Sequence, residues 1–169
     1  HDLIRRESTT WDGQSEVADK PVAHNVNMGE GLLWGFEGQA SFDIGFGLGA
    51  FGSVTYTWAE EQVEDGSGIP LTRIPPLFGR LGLRYEFEYL GCEGFAEAIV
   101  LTAAAQDRLS AEDETDARIP PGGTPAWAIV SLRGGFAPHP KLAFTVSVEN
   151  LFNESYRVHG SGVYGAGTS

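Results

Sequence analysis

From about residue 30 onward, apolar and polar side chains alternate with a period of two, in runs too long for an ordinary globular strand. Leu32, Trp34, Phe36, Ala40, Phe42 and Ile44 share one face, and Glu37, Gln39, Ser41 and Asp43 share the other. Leu77, Leu81, Leu83, Tyr85, Phe87 and Tyr89 likewise oppose Arg80, Arg84, Glu86 and Glu88. Leu142, Phe144, Val146 and Val148 oppose Thr145, Ser147 and Glu149. A helix cannot keep such a pattern on one side, so each run predicts a strand with an apolar and a polar face. Seven strands are expected, at 2–9, 30–44, 48–60, 72–88, 94–109, 125–137 and 141–153. The alanines of 96–109 also suit a helix, which leaves that segment ambiguous. Globular strands usually hold about five or six residues, and several of these are about twice as long.

The links between the runs alternate as regularly as the side chains. Short links at 45–47, 89–93 and 138–140 exchange places with long polar ones at 10–29, 61–71 and 110–124. An up-and-down barrel with tight turns at one rim and long loops at the other produces this order. Trp34, Phe36, Tyr56, Trp58 and Trp127 lie near the long-loop ends, and Phe42, Phe46, Tyr85, Phe87 and Tyr89 near the short-turn ends. Eight residues from Trp34 to Phe42, tilted by roughly 45°, span about 19 Å, close to the apolar band of an outer-membrane barrel. No run of about 18 apolar residues exists to form a membrane-crossing helix. A soluble sheet packed on a core would also alternate; the strand lengths and charged faces favour the membrane. The fold expected is all-β: an antiparallel, up-and-down transmembrane β-barrel segment of about seven long strands, open as an isolated fragment.

Composition narrows the partners. Ten Phe, five Tyr and four Trp against one Met favour strands over helices. A net charge of −12 argues against a nucleic-acid partner, which needs a basic face to neutralise phosphates. The lone Cys92 can form neither an internal disulfide nor a zinc cluster.

Three ordered segments carry a resemblance. LTRIPPLFGRLGLRYEF (71–87), RIPPGGTPAWAIVSLRGGF (118–136) and VENLFNESYRVHGSG (148–162), with GFEGQASF (35–42) ahead of them, resemble the C-terminal barrel of TonB-dependent outer-membrane receptors. NLFN-x-x-Y, Asn150 to Tyr156, is the most specific piece. The resemblance implies energised uptake of a scarce solute such as a ferric siderophore, haem or cobalamin across the bacterial outer membrane. It implies as partners outer-membrane lipid, the N-terminal plug domain of the same protein, the TonB complex and a small solute. Residues 1–169 are then expected to be a partial C-terminal barrel domain, with plug, TonB-contacting segment and last strand outside it.

Within that frame, Glu37, Asp43, Arg80, Arg84, Glu86 and Arg133 are expected to face the lumen. They either line a solute path and meet the plug, or simply pair with one another and water. His24 in the first long loop and Arg157, His159 and Tyr164 in the last are the ligand-binding candidates at the outer rim. Neutral His and Tyr can ligate haem iron, and Arg can meet a carboxylate or catecholate. Glu60, Glu61, Glu64 and Asp65, and Glu112, Asp113, Glu114 and Asp116, form acidic loop clusters without calcium-loop spacing, expected to be solvated surface. No nucleophile elbow, H-E-x-x-H or nucleotide-binding loop appears, so no enzyme, metal site or cofactor is expected. The competing reading is a non-transporting outer-membrane β-barrel or adhesin with a structural or interaction role.

Overall fold

The computed structural model describes residues 30–63, 66–161 and 165 in full, and the strand backbone alone at 2–8, 16–17, 20–21, 23–29 and 164. The elements run β1 (Asp2–Ser8), β2 (Glu16–Val17), β3 (Lys20–Pro21), β4 (Ala23–Gly45), β5 (Leu48–Gln62), β6 (Gly68–Pro70), β7 (Phe78–Tyr89), β8 (Cys92–Ala103), α1 (Ala111–Thr115), β9 (Trp127–His139), β10 (Leu142–Val148), β11 (Tyr156–Arg157) and β12 (Tyr164–Gly165). The main sheet runs β1-β4-β5-β7-β8-β9-β10, with β6 added to β5, so its path has two ends. Every pairing given between neighbouring strands is antiparallel. This is the open, seven-strand antiparallel sheet that the alternation predicts.

The chain divides into two compact units, His1–Trp34 with Trp58–Leu71, and Gly35–Thr57 with Thr72–Ser169. In the first, β1 pairs with the start of β4, from Asp2↔Glu30 to Ser8↔Ala23, and the end of β5 pairs with β6. Trp34 and Trp58 stack there at 6.3 Å. Here the sequence expectation needs correction. Residues 23–29, expected as loop, continue β4, because Val26 and Met28 alternate with Asn25 and Asn27 just as the later residues do.

The second unit carries the longest ladders. Leu81, Leu83 and Tyr85 pair with Val100, Ala98 and Ala96, which pair in turn with Val130, Leu132 and Gly134. Leu132 and Gly134 meet Val148 and Val146 of β10. That apolar face is uncovered: Leu81 is 62%, Phe42 67% and Val146 70% exposed. The buried apolar residues among those described are only Ala59, Ala103, Ile119 and Ile129. Ala103 and Ile129 fall in the register set of Arg84, Glu97 and Arg133, on the opposite face. A soluble sheet would bury its apolar face on a core; this one is inside out.

Three hairpins close within two residues, at 46–47, 90–91 and 140–141. Leu90 and Gly91 both have positive φ, 54° and 74°, as the primed turn between twisted strands requires. Gly47 has φ 81°, and its backbone lies so close to the Glu86 carbonyl that a Cβ would overlap that oxygen. Gly47→Ala is therefore expected to destabilise the β4–β5 hairpin by about 1–3 kcal/mol, read as a lower urea midpoint for the folded protein.

Two other expectations shift. Residues 72–77 are not strand: Pro75 and Pro76 cannot donate to a ladder, so β7 starts at Phe78. The ambiguous 96–109 segment is strand to Ala103 and then leaves the sheet. The loop after it holds α1, which the alternation does not predict but a capping box does. The Ser110 side chain accepts from the Asp113 backbone, and the Asp113 side chain accepts from the Ser110 backbone.

Candidate functional site

On the charged face of the second unit, Arg84, Glu97 and Arg133 stand side by side on β7, β8 and β9. Arg84 Nε donates to Glu86 Oε1 at 2.9 Å, and its Nη1 lies 3.4 Å from Glu97 Oε2. Its guanidinium also sits 4.0 Å from the centre of the Phe95 ring. Arg133 approaches the same ring at 5.8 Å, and Arg80 stacks on Phe51 at 5.0 Å. The two phenyl rings can lie flat because each covers a glycine, Gly82 under Phe51 and Gly135 under Phe95. Stacking holds the guanidinium planes while their edges stay open for hydrogen bonding. Arg80 and Arg133 have no carboxylate partner among the described residues, in contrast to Arg84.

Arg80 and Arg133 line one cleft of about 740 Å³, floored by Ile99, Leu101 and Ile129 and bounded by Tyr156. Glu149 lines the same cleft, so two cations and a carboxylate stand above an aliphatic floor, a lining suited to a polar solute of mixed charge with an apolar body. Glu37 and Asp43 share this face. Phe36 rests on Tyr56 at 5.9 Å, which sets even positions of β4 and β5 together and odd ones opposite. Asp43 also accepts the Gly45 N–H at 2.8 Å, so it serves the turn. The ladder register sets Arg80, Arg84, Glu86 and Arg133 on one face of the sheet.

The long-loop ends form a second cluster. Asp113, 1% exposed, accepts from the Thr72 hydroxyl at 2.7 Å, the Arg73 N–H at 2.9 Å and the Ser110 N–H at 3.1 Å. Burial pulls its carboxyl upward, but hydrogen bonds from Thr72, Ser110 and Arg73 outweigh that and hold it below its ordinary value. The sign follows: this stabilisation is complete above the ordinary carboxylate value and is lost as pH falls below it. Asp116 gathers Arg73 at 3.0 Å and Arg118 at 2.6 Å. Of the acidic clusters, Glu64 and Asp65 lie outside the described residues. Glu112 and Glu114 are the exposed surface expected, but Asp113 and Asp116 are not, and they tie the loop down. Ser110-x-x-Asp113 was the sequence signal for it.

Of the rim candidates, Arg157 and His159 join this cluster. Arg157 Nη1 donates to the Arg118 carbonyl at 3.0 Å, and His159 Nδ1 lies 2.9 Å from Thr124 Oγ1. His24 lies on β4 opposite Glu7 rather than in a loop, and Tyr164 lies on β12; their side chains are outside the described residues. Among the described residues no group of three His, Cys, Asp or Glu could hold a metal ion.

The Asn150–Tyr156 segment explains its own composition. Asn150 and Asn153 adopt φ 49° and 54°, where asparagine is tolerated and branched residues are not. Asn150 accepts the Glu154 N–H at 2.9 Å and donates to the Glu154 carbonyl at 2.8 Å. The Leu151 N–H still reaches Val130 at 2.7 Å, and Tyr156 packs on Trp127 at 4.6 Å. This polar lock ends β10 at Val148 and turns the chain into its loop.

The family model for the TonB-dependent receptor-like β-barrel matches residues 2–151. The chain belongs to the TonB-dependent receptor family. Among solved structures the receptor barrel resembles one described as "Copper transporter OprC", at 23% identity with a TM-score of 0.63. The match covers 81% of this chain and 19% of that one, so the chain spans about a fifth of its length. At that identity the likeness speaks for the fold. No curated protein matches the chain.

Proposed function

We propose that this chain is barrel wall of an outer-membrane receptor that takes up a scarce solute with energy from the TonB complex. The observation that carries the reading is the family match over 2–151 on a sheet whose apolar face is exposed and whose opposite face is charged. Outer-membrane lipid covers Leu81, Leu83 and Val146, and the lumen receives Arg80, Arg84, Glu86, Arg133, Glu37 and Asp43. The plug of the same protein faces that wall, and Arg80 and Arg133 contact the plug or an anionic group of the solute. His24, Arg157, His159 and Tyr164 stand toward the outer rim.

The solute is a scarce one such as a ferric siderophore, haem or cobalamin. The copper transporter among similar folds adds copper as a comparison. Uptake of each, labelled, by cells carrying the full-length receptor decides between them. The expected result is receptor-dependent accumulation of one, abolished when the TonB complex is absent. Accumulation of none, or accumulation indifferent to TonB, would contradict the proposal.

A further inference from the structure

The hairpin from β11 to β12 is held to the loop between β8 and β9 at two points, Arg157 to the Arg118 carbonyl and His159 to Thr124. Thr124 is itself 3% exposed and fixed by reciprocal backbone bonds with Gln106, at 2.8 and 2.9 Å. The Gln106 side chain donates to the Ile74 carbonyl at 2.7 Å, which ties the anchor to the 71–77 segment. Next to His159, a Cβ added at Gly160 would come within 3.6 Å of the aliphatic part of Arg73, so the 71–77 segment lies close by. The imidazole therefore sits in a seam between three chain segments. Its Nε2 is buried and has no hydrogen-bond partner among the described residues.

We propose that His159 is a pH-released latch, fastening the terminal hairpin to the long loop when its ring is neutral and freeing it when the ring is protonated. A neutral ring exchanges one hydrogen bond with Thr124 and leaves only one nitrogen unpaired. A protonated ring carries an N–H on both nitrogens, and Nε2–H would be a buried charged donor without an acceptor. The charged neighbours do not supply one. Asp113 on α1 favours the cation through space, but its carboxylate is engaged by Thr72, Arg73 and Ser110. Asp116 is occupied by Arg73 and Arg118, and Arg73, Arg118 and Arg157 are themselves cations around the seam. Burial outweighs Asp113 and holds the latched imidazole below its ordinary value. The sign is fixed: the latch is fully closed above about 6.5 and weakens as pH falls, because the released ring takes the proton first.

Hydrogen exchange of the full-length receptor in lipid, corrected for intrinsic rates, tests this at pH 7.5 and 5.5. Segments 118–124 and 156–161 are expected to lose protection about three- to tenfold at the lower pH, the most one titrating group allows over that window. His159→Gln is expected to make protection in both segments independent of pH, whatever its level. Thr124→Val is expected to lower protection at pH 7.5 and flatten the pH response. A wild-type receptor without pH response there, or a His159→Gln receptor that keeps the wild-type response, would overturn the latch. So would an unchanged response in Thr124→Val. The readout is independent of whether any solute is transported.

Discussion

Val146→Arg is expected to weaken assembly of the receptor into a bilayer by about 2–4 kcal/mol, whereas Ser147→Arg should cost less than about 1 kcal/mol. The two positions are adjacent on β10, so propensity, turn geometry and edge position are shared. Only the facing differs. Val146 lies opposite Gly134 on the face of Phe144 and Val148, 70% exposed with no protein over it. An arginine there meets hydrocarbon near mid-strand. Ser147 lies opposite Arg133 and lines a cleft with it and Glu149; the new charge only adds a repulsion to one existing cation. Folding yield of the full-length receptor into vesicles across a urea series reads both values. Equal losses would mean that the faces are assigned wrongly.

Asp113→Ala has the other large expected effect. It leaves the Thr72 hydroxyl and the Arg73 and Ser110 N–H groups without their acceptor at a site that is 1% exposed. Each buried donor left unpaired costs about 1–3 kcal/mol, and partial rehydration of a loop reduces the sum to about 3–5 kcal/mol. The loss is local. Hydrogen exchange should rise sharply over 104–126 and 71–77 and stay unchanged over β7 and β8, whose ladder Asp113 does not touch. Asp113→Asn retains an acceptor and should lose about half as much. Unchanged exchange in 104–126 would show that the carboxylate does not hold the loop.

The barrel strands were legible because lipid and water sort side chains so strictly. Arg80, Arg84 and Glu86 against Leu81, Leu83 and Tyr85 leave one solution for β7, and its register to β8 and β9 follows the same alternation. Ends were less legible. The sequence pattern ran on to residue 153, but β10 stops at Val148, because two asparagines in the left-handed region cannot continue a ladder. The pattern began at residue 30, but β4 begins at Ala23, because polar asparagines disguised a strand. Period two places whole sets of side chains together, Arg80, Arg84 and Glu86 among them. What it did not reveal was pairing: that Phe51 and Phe95 carry arginines depends on glycines on neighbouring strands. Within the acidic run Glu112 and Glu114 are exposed as expected, but the burial of Asp113 was not legible for a related reason. Burial of Asp113 arises from Thr72 and Arg73, about forty residues earlier, and no local spacing encodes that.

The central claim is that the apolar face of this sheet meets lipid and the charged face a lumen. Spin labels placed singly at positions 142–148 of the full-length receptor in bilayers test it most directly, in a Cys92→Ser background. Cys92 sits beside the turns, with Sγ 3.6 Å from the Pro138 carbonyl, and its replacement leaves both faces intact. Labels at Leu142, Phe144, Val146 and Val148 are expected to collide with oxygen in the bilayer, and labels at Ala143, Thr145 and Ser147 are not. Collision rates without that period of two, or with the phase reversed, would contradict it.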